Sequence, residues 1–335
     1  SPLSSFTPSE RFALSYQPEL LTLGTNKQLN FAGGNAFSPA PLSSGAVLRV
    51  FGNRLSWAAV AKILALLADD GAGVSCRIYQ PHPALAGALE FAVSALTALQ
   101  QQHLAAVAAE LDIEAVYLQS RPQLAKPGVL VMDMDSTAIA IECIDEIAKL
   151  AGVGEQVAAV TARAMNGELD FAQSLVARVA TLQGAPQTLL QQVLDSIPLM
   201  PGLSELVAHL QTHQWQVAIA SGGFTYFTDA LRQRLSLTAT FANVLDVQDG
   251  YLSGKVLGDI VDASTKAQVV GLLAAQHQIE HSQTVAIGDG ANDIPMLNAA
   301  ALGVAFHAKP KVQAQAKAAI RQGSLLQLLY LLDQA

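Results

Sequence analysis

The chain has 335 residues, of which 51% are hydrophobic and 14% charged, with a formal net charge of -8. That is enough chain for two domains and a large core, and the composition excludes a disordered protein. The acidic balance excludes a broad basic face for nucleic acid or an anionic membrane, so an anionic ligand needs a local cation or a few placed basic groups. Residues 1–45 are rich in Ser, Pro, Gly and Asn and read as an N-terminal extension, with NFAGGNAFSPAPLSSG as the plainest loop. From Ala46 the predicted order is strand AVLRVF, helix SWAAVAKILALLADD, strand GVSCRIY, a strand near LEFAV, helix LTALQQQHLAAVAAEL and strand IEAVYL. This βαββαβ order predicts a ferredoxin-like α+β domain over residues 46–120.

The polar connection QSRPQLAKPG marks a boundary, and a second domain is predicted over residues 126–335. It opens with VLVMDMDSTA, in which four apolar residues of buried-strand character run into Asp133 and Asp135. Strands at QVAIA, TVAI and LGVAF follow, separated by helical stretches, which predicts an α/β doubly wound parallel sheet. Residues 141–205 are almost wholly helical in pattern and read as an inserted cap. The two cysteines, Cys76 and Cys143, lie far apart without metal-ligand spacing. With no signal-peptide pattern and no run of about 18 apolar residues, the chain is expected to be soluble and cytoplasmic, without membrane or nucleic-acid partners.

In such sheets the ligand crevice lies beyond the carboxyl ends of the strands, which directs attention to DMDST, SGG and GDGANDIPML. Each has a plain alternative: Ser221 as a cap for FTYFTDALRQRL, Asp293 as a cap for IPMLNAA. Lys266 is harder to dismiss, because STKAQVVGLLAA puts a cation in the first turn of a helix, against the macrodipole. Two acids, a hydroxyl, a lysine and GDGxxD together suit a hard divalent cation and a phosphate. Asp133 and Asp289 would supply carboxylates, and Gly222, Gly223, Gly288 and Gly290 would allow close backbone approach.

In this order and at these separations, DMDST, the Ser221 motif, Lys266 and GDGANDIPML resemble the four motifs of the haloacid dehalogenase-like superfamily. Over about residues 126–330 the chain resembles the phosphoserine phosphatase family within it, and ECIDEIA and RAMNGELDFAQSLVARV resemble that family's substrate-recognition segments. The resemblance implies Asp133 as nucleophile and Asp135 as general acid and base. It implies Mg²⁺ as cofactor on Asp133, the Asp135 carbonyl and Asp289, with Asp293 in support, and Ser221, Gly222, Gly223, Lys266 and Asn292 around the phosphoryl group.

In DFAQSLVARV, Phe171, Leu175 and Arg178 share a helical face at i, i+4, i+7. Arg178 either snorkels to solvent or forks a substrate carboxylate. The resemblance implies the fork, with Glu142 on the substrate ammonium and Met165 and Phe171 closing an apolar wall; Glu142 alone would also read as a solvated first-turn acid. The implied reaction is Mg²⁺-dependent hydrolysis of O-phospho-L-serine, the last step of serine synthesis. Phosphoryl transfer to a small alcohol such as homoserine, or a catalytically silent amino-acid sensor, are the alternatives. The first domain resembles an ACT-like regulatory module, although its first turn, NRLSW, lacks the Asp and Gly of amino-acid-binding members. A homodimerisation or purely structural role is an equal reading.

Overall fold

The computed structural model describes residues 45–67 and 73–334 together with three short upstream strands, β1 (Arg11–Ser15), β2 (Leu21–Gly24) and β3 (Gln28–Phe31). Most of the loop NFAGGNAFSPAPLSSG lies outside the described residues. The chain divides into two compact units, one running to Arg121 and including Gln327–Gln334, the other covering Pro122–Leu326.

In the first unit β4 (Val47–Phe51), α1 (Trp57–Leu67), β5 (Gly73–Tyr79), β6 (Ala88–Ala92), α2 (Ala98–Leu111) and β7 (Glu114–Leu118) follow the predicted βαββαβ order. The antiparallel sheet runs β1-β5-β6-β4-β7, so the N-terminal segment contributes an edge strand, with Arg11 opposite Arg77. RFALS carries too short an alternation to stand out in a Ser- and Pro-rich stretch. Strand alternation sends Leu48 and Val50 into one core with Ile63, Leu64 and Leu104, and Arg49 to the opposite face. There the fully buried Arg49 donates to Glu90 and to the carbonyl oxygens of Tyr330 (2.9 Å) and Leu332 (3.0 Å). The segment Gln327–Gln334, which the sequence alone assigns to the second domain, thereby belongs to the first unit.

The second unit contains β8 (Val129–Met132), a helical insertion of α3 (Cys143–Ala151), α4 (Gly154–Met165), α5 (Phe171–Ala180) and α6 (Thr188–Asp195), and α7 (Leu203–Thr212), which leads back to the sheet. Then follow β9 (Gln216–Phe224), α8 (Thr225–Leu235), β10 (Ala239–Gln248), β11 (Tyr251–Leu257), α9 (Ala263–Gln276), β12 (Thr284–Gly288), α10 (Ile294–Ala299), β13 (Leu302–Phe306), α11 (Pro310–Gln313) and β14 (Ala318–Ile320). The sheet order is β11-β10-β9-β8-β12-β13-β14, parallel except for the antiparallel β10–β11 pair. Central β8 has strand neighbours on both edges and α9 packed against it, and all four of its residues are apolar and fully buried, as suits an interior strand of a parallel sheet. The β10–β11 hairpin is an addition to the predicted strands; it turns at Asp249 and Gly250, both at positive φ (51° and 83°), the geometry an Asp-Gly pair favours. No helix among the described residues is long and apolar enough to cross a membrane.

Candidate active site

At the end of β8 the Asp133 amide still donates to the carbonyl of Ile287 on β12 (3.0 Å), and the chain then leaves the sheet. The carboxylate Oδ1 accepts from the Met134 amide (2.8 Å) and from Lys266 Nζ (3.0 Å). Lys266, 1% exposed, also donates to Asp293 Oδ1 at 2.9 Å. Asp293 is fully buried, and its second oxygen accepts the amides of Asp289 (3.1 Å) and Gly290 (3.0 Å). The capping alternatives therefore fail. Asp293 makes no side-chain cap to α10 and instead ties the glycine loop to Lys266; Ser221 leaves the first residue of α8 uncapped and accepts from the Gly223 amide at 2.8 Å. Lys266 tolerates the first turn of α9 because Asp133 and Asp293 outweigh the macrodipole: burial lowers its pKa, yet the two carboxylates raise it overall.

Asp133, Asp289 and Asp293 offer oxygens that all lie within 4.8 Å of one another. Asp293 is taken up by Lys266 and two amides, which leaves Asp133 and Asp289 with free lone pairs. Asp289 is steadied by the buried Thr137, whose hydroxyl donates to its Oδ1 at 3.0 Å. Burial, and next the charge of Asp293, pushes the Asp133 carboxyl well above its usual range, and the same two causes raise Asp289. One lysine does not neutralise this many carboxylates. The all-oxygen donor set, with its excess negative charge, fits a hard divalent cation. The Asp135 carboxylate stands outside the trio, accepting from the Cys143 amide (3.2 Å), and burial raises its pKa to about 6 against that hydrogen bond.

A cavity of about 430 Å³ opens over these groups. Its floor includes Asp133, Asp135, Lys266, Asp289 and Asn292, and one side is the loop Ser221, Gly222 and Gly223. A Cβ on Gly222 would lie 2.4 Å from the Phe171 ring, so the aromatic cap residue can pack on this loop only because position 222 lacks a side chain. Opposite the floor the cap supplies Glu142, Met165, Phe171 and Arg178, so every predicted site residue lines the cavity except Gly288, at the buried end of β12, and Asp293, which Lys266 holds below it. Met165 departs from expectation in one respect: at 70% exposed it sits on the rim, and the apolar wall is Phe171 with buried Leu175.

Arg178 is half-buried, donates to the Ser174 carbonyl (3.3 Å) and makes no ion pair among the described residues. Burial lowers its pKa, countered by the charges of Asp145 and Glu142. Glu142 occupies the N-cap position of α3 without capping it, and accepts from Ser136 Oγ at 2.7 Å. It touches solvent at the cavity mouth, but the protein behind it thins its hydration and, with the charge on Asp135, raises its pKa to about 7. Cys143 is inert by comparison, its thiol pushed up by burial and the Asp135 charge. Sequence reasoning passed over Thr137 and Asp145. Both lie inside quoted motifs, Asp145 one helical turn after Glu142, and that spacing was the available signal.

A haloacid dehalogenase-like hydrolase model matches residues 127–301, just over half of the chain. The chain is 56% identical to the phosphoserine phosphatase of Vibrio cholerae over 225 residues, covering 67% of this chain and 69% of that protein. A crystal structure described as a probable phosphoserine phosphatase from Vibrio cholerae, unliganded, superposes with a TM-score of 0.70 at 44% identity, over 86% of each chain. A substrate-bound phosphoserine phosphatase complex superposes with a TM-score of 0.59 at 36% identity, over 62% of this chain and 99% of the other. The matched stretch runs from the start of β8 past α10 and so takes in every side chain of the cavity floor; the chain belongs to the haloacid dehalogenase-like hydrolase family.

Proposed function

We propose that the chain hydrolyses O-phospho-L-serine to L-serine and phosphate through an aspartyl-phosphate on Asp133. The observation that carries this reading is the pairing of charges across one cavity. Asp133 and Lys266 form the floor, while Arg178, with no ionic partner among the described residues, and the Glu142 carboxyl line the cap side. Phosphoserine presents a phosphate, a carboxylate and an ammonium, one for each. The names of the relatives point the same way.

Asp133 attacks phosphorus, and the bond from phosphorus to the serine oxygen breaks. Asp135, with a pKa of about 6, donates its proton to the departing alkoxide and then takes one from the water that opens the acyl phosphate. Lys266 balances charge on the phosphoryl group, with the Ser221 hydroxyl, the Gly222 amide and Asn292 beside it. A Mg²⁺ ion held by Asp133, the Asp135 carbonyl and Asp289 would neutralise phosphoryl charge that otherwise repels the attacking carboxylate. Arg178 forks the substrate carboxylate, Glu142 meets its ammonium, and Phe171 excludes water. The βαββαβ unit is read as an ACT-like regulatory or dimerisation module.

The test is phosphate release from O-phospho-L-serine by the full chain with Mg²⁺ and with EDTA. Metal-dependent release is expected. Release indifferent to EDTA, or cleavage of simple aryl phosphates with none of phosphoserine, would overturn the reading.

A further inference from the structure

Asn243 has no place in the motifs, yet it is 1% exposed and makes a hydrogen bond at each end of its amide. Its Nδ2 donates to the carbonyl of Gly222 (3.0 Å), and its Oδ1 accepts from the amide of Val261 (2.8 Å). It reaches both from β10, at the point where that strand slips register against β9 between Phe241 and Asn243. Such bulges commonly re-aim a side chain beside a functional site.

We infer that Asn243 is a positioning residue that sets the Ser221 hydroxyl and locks the phosphoryl loop to the helix carrying Lys266; this rests on the function proposed above. The peptide joining Gly222 to Gly223 is planar and trans, so its C=O and N–H point in opposite directions. Drawing the Gly222 carbonyl toward Asn243 aims the Gly223 N–H the other way, where it donates to Ser221 Oγ at 2.8 Å. A hydroxyl whose acceptor side is so engaged keeps its hydrogen for a phosphoryl oxygen. At the other end, Val261 immediately precedes Asp262, whose side chain caps α9 by accepting from the Thr265 amide, one residue before Lys266. Only an amide satisfies both partners. A carboxylate of the same shape keeps the acceptor for Val261 but has no hydrogen for Gly222, and leucine serves neither.

The test is a double-mutant cycle in the full chain with Mg²⁺: wild type, Asn243→Asp, Ser221→Ala and the double variant, reading kcat on O-phospho-L-serine and affinity for inorganic phosphate by calorimetry. Asn243→Asp is expected to lower kcat about tenfold to hundredfold, the cost of a misplaced reacting group. If Asn243 acts through Ser221, the double variant stays within about twofold of Ser221→Ala alone. Losses that multiply, or wild-type turnover in Asn243→Asp, would overturn the inference. Should the wild type not cleave phosphoserine, the proposed function fails while the phosphate arm still decides: about tenfold weaker binding in Asn243→Asp, absent in the Ser221→Ala background, supports the positioning role, and unchanged binding rejects it. If Asn243→Asp lacks a cooperative unfolding transition, Asn243→Ala carries the same cycle.

Discussion

Each unit buries a cluster of charged side chains, and the two are balanced differently. In the first unit Glu90, 1% exposed, accepts from Arg49 Nε (3.0 Å) and Nη2 (2.9 Å) and from Arg77 Nε (2.8 Å), while Arg49 and Arg121 share Asp333. Burial alone would raise the Glu90 pKa, but the bonds and charges of the two arginines hold it below the usual value. In the second unit Asp133, Asp135, Asp289, Asp293 and Glu142 face Lys266 and Arg178, and burial raises the pKa of Asp133, Asp135, Asp289 and Glu142. A cluster built for stability satisfies its charges internally. One built for chemistry leaves some unsatisfied until a ligand arrives.

The largest expected effect is on turnover. Asp133→Asn should cut kcat by about four orders of magnitude or more, since an amide cannot form the acyl phosphate. Steady-state phosphate release checks this.

The same carboxylate-to-amide change separates the clusters by stability. Glu90→Gln leaves Arg49 buried without its main countercharge and should cost about 3–5 kcal/mol. Asp133→Asn removes a carboxylate that its neighbours disfavour, and Lys266 keeps Asp293, so the metal-free midpoint should hold or rise. Thermal unfolding of both variants without metal makes the comparison, and equal losses would erase the distinction.

Arg178 tests which charges await substrate. Arg178→Ala should lose about 1.5–3 kcal/mol, roughly tenfold to two-hundredfold in kcat/KM for phosphoserine. Phosphoethanolamine, which has no carboxylate, should be a poor substrate scarcely affected by the change. Equal losses on both would assign Arg178 to cap support.

The smallest effect is on pH dependence, where the signs oppose. Glu90 has a lowered folded pKa, so its stabilisation is present above the unfolded value and is lost as pH falls through the folded one. Asp135 and Glu142, raised to about 6 and about 7, bind protons more tightly folded than unfolded. They therefore destabilise as pH climbs from about 4 to 7. The metal-free protein should gain a few degrees in Tm between pH 8 and 5, and Mg²⁺ should shrink that gain by favouring the ionised site. Glu90→Gln should flatten only the acid limb below about pH 4.5. Tm series with and without Mg²⁺ distinguish the two.

Much of the site was legible because strand ends and helical spacing are local properties. The apolar run before Asp133 identifies a central strand, and the spacing of Phe171, Leu175 and Arg178 puts the guanidinium on the cavity side of α5. Lys266 announced itself by breaking a helix rule that Asp133 and Asp293 compensate from distant parts of the chain. Other features stayed hidden for the same reason reversed. Asn243 matters through a carbonyl 21 residues back and an amide 18 ahead, and Arg49 through carbonyls 281 and 283 residues ahead, partners that no window of sequence contains. Asp293 is legible only in part: GDGANDIPML marks its loop, but only packing shows the side chain holding Lys266 and two amides rather than capping α10.

The central claim is that the unsatisfied carboxylates serve a covalent step on Asp133. It is tested most directly by mixing the full chain and Mg²⁺ with phosphate-labelled O-phosphoserine, quenching in acid within a single turnover and mapping the labelled peptide. The account predicts label on the peptide containing Asp133, lost on treatment with hydroxylamine and missing from Asp133→Asn. Label on another residue, or turnover persisting in Asp133→Asn, would contradict it.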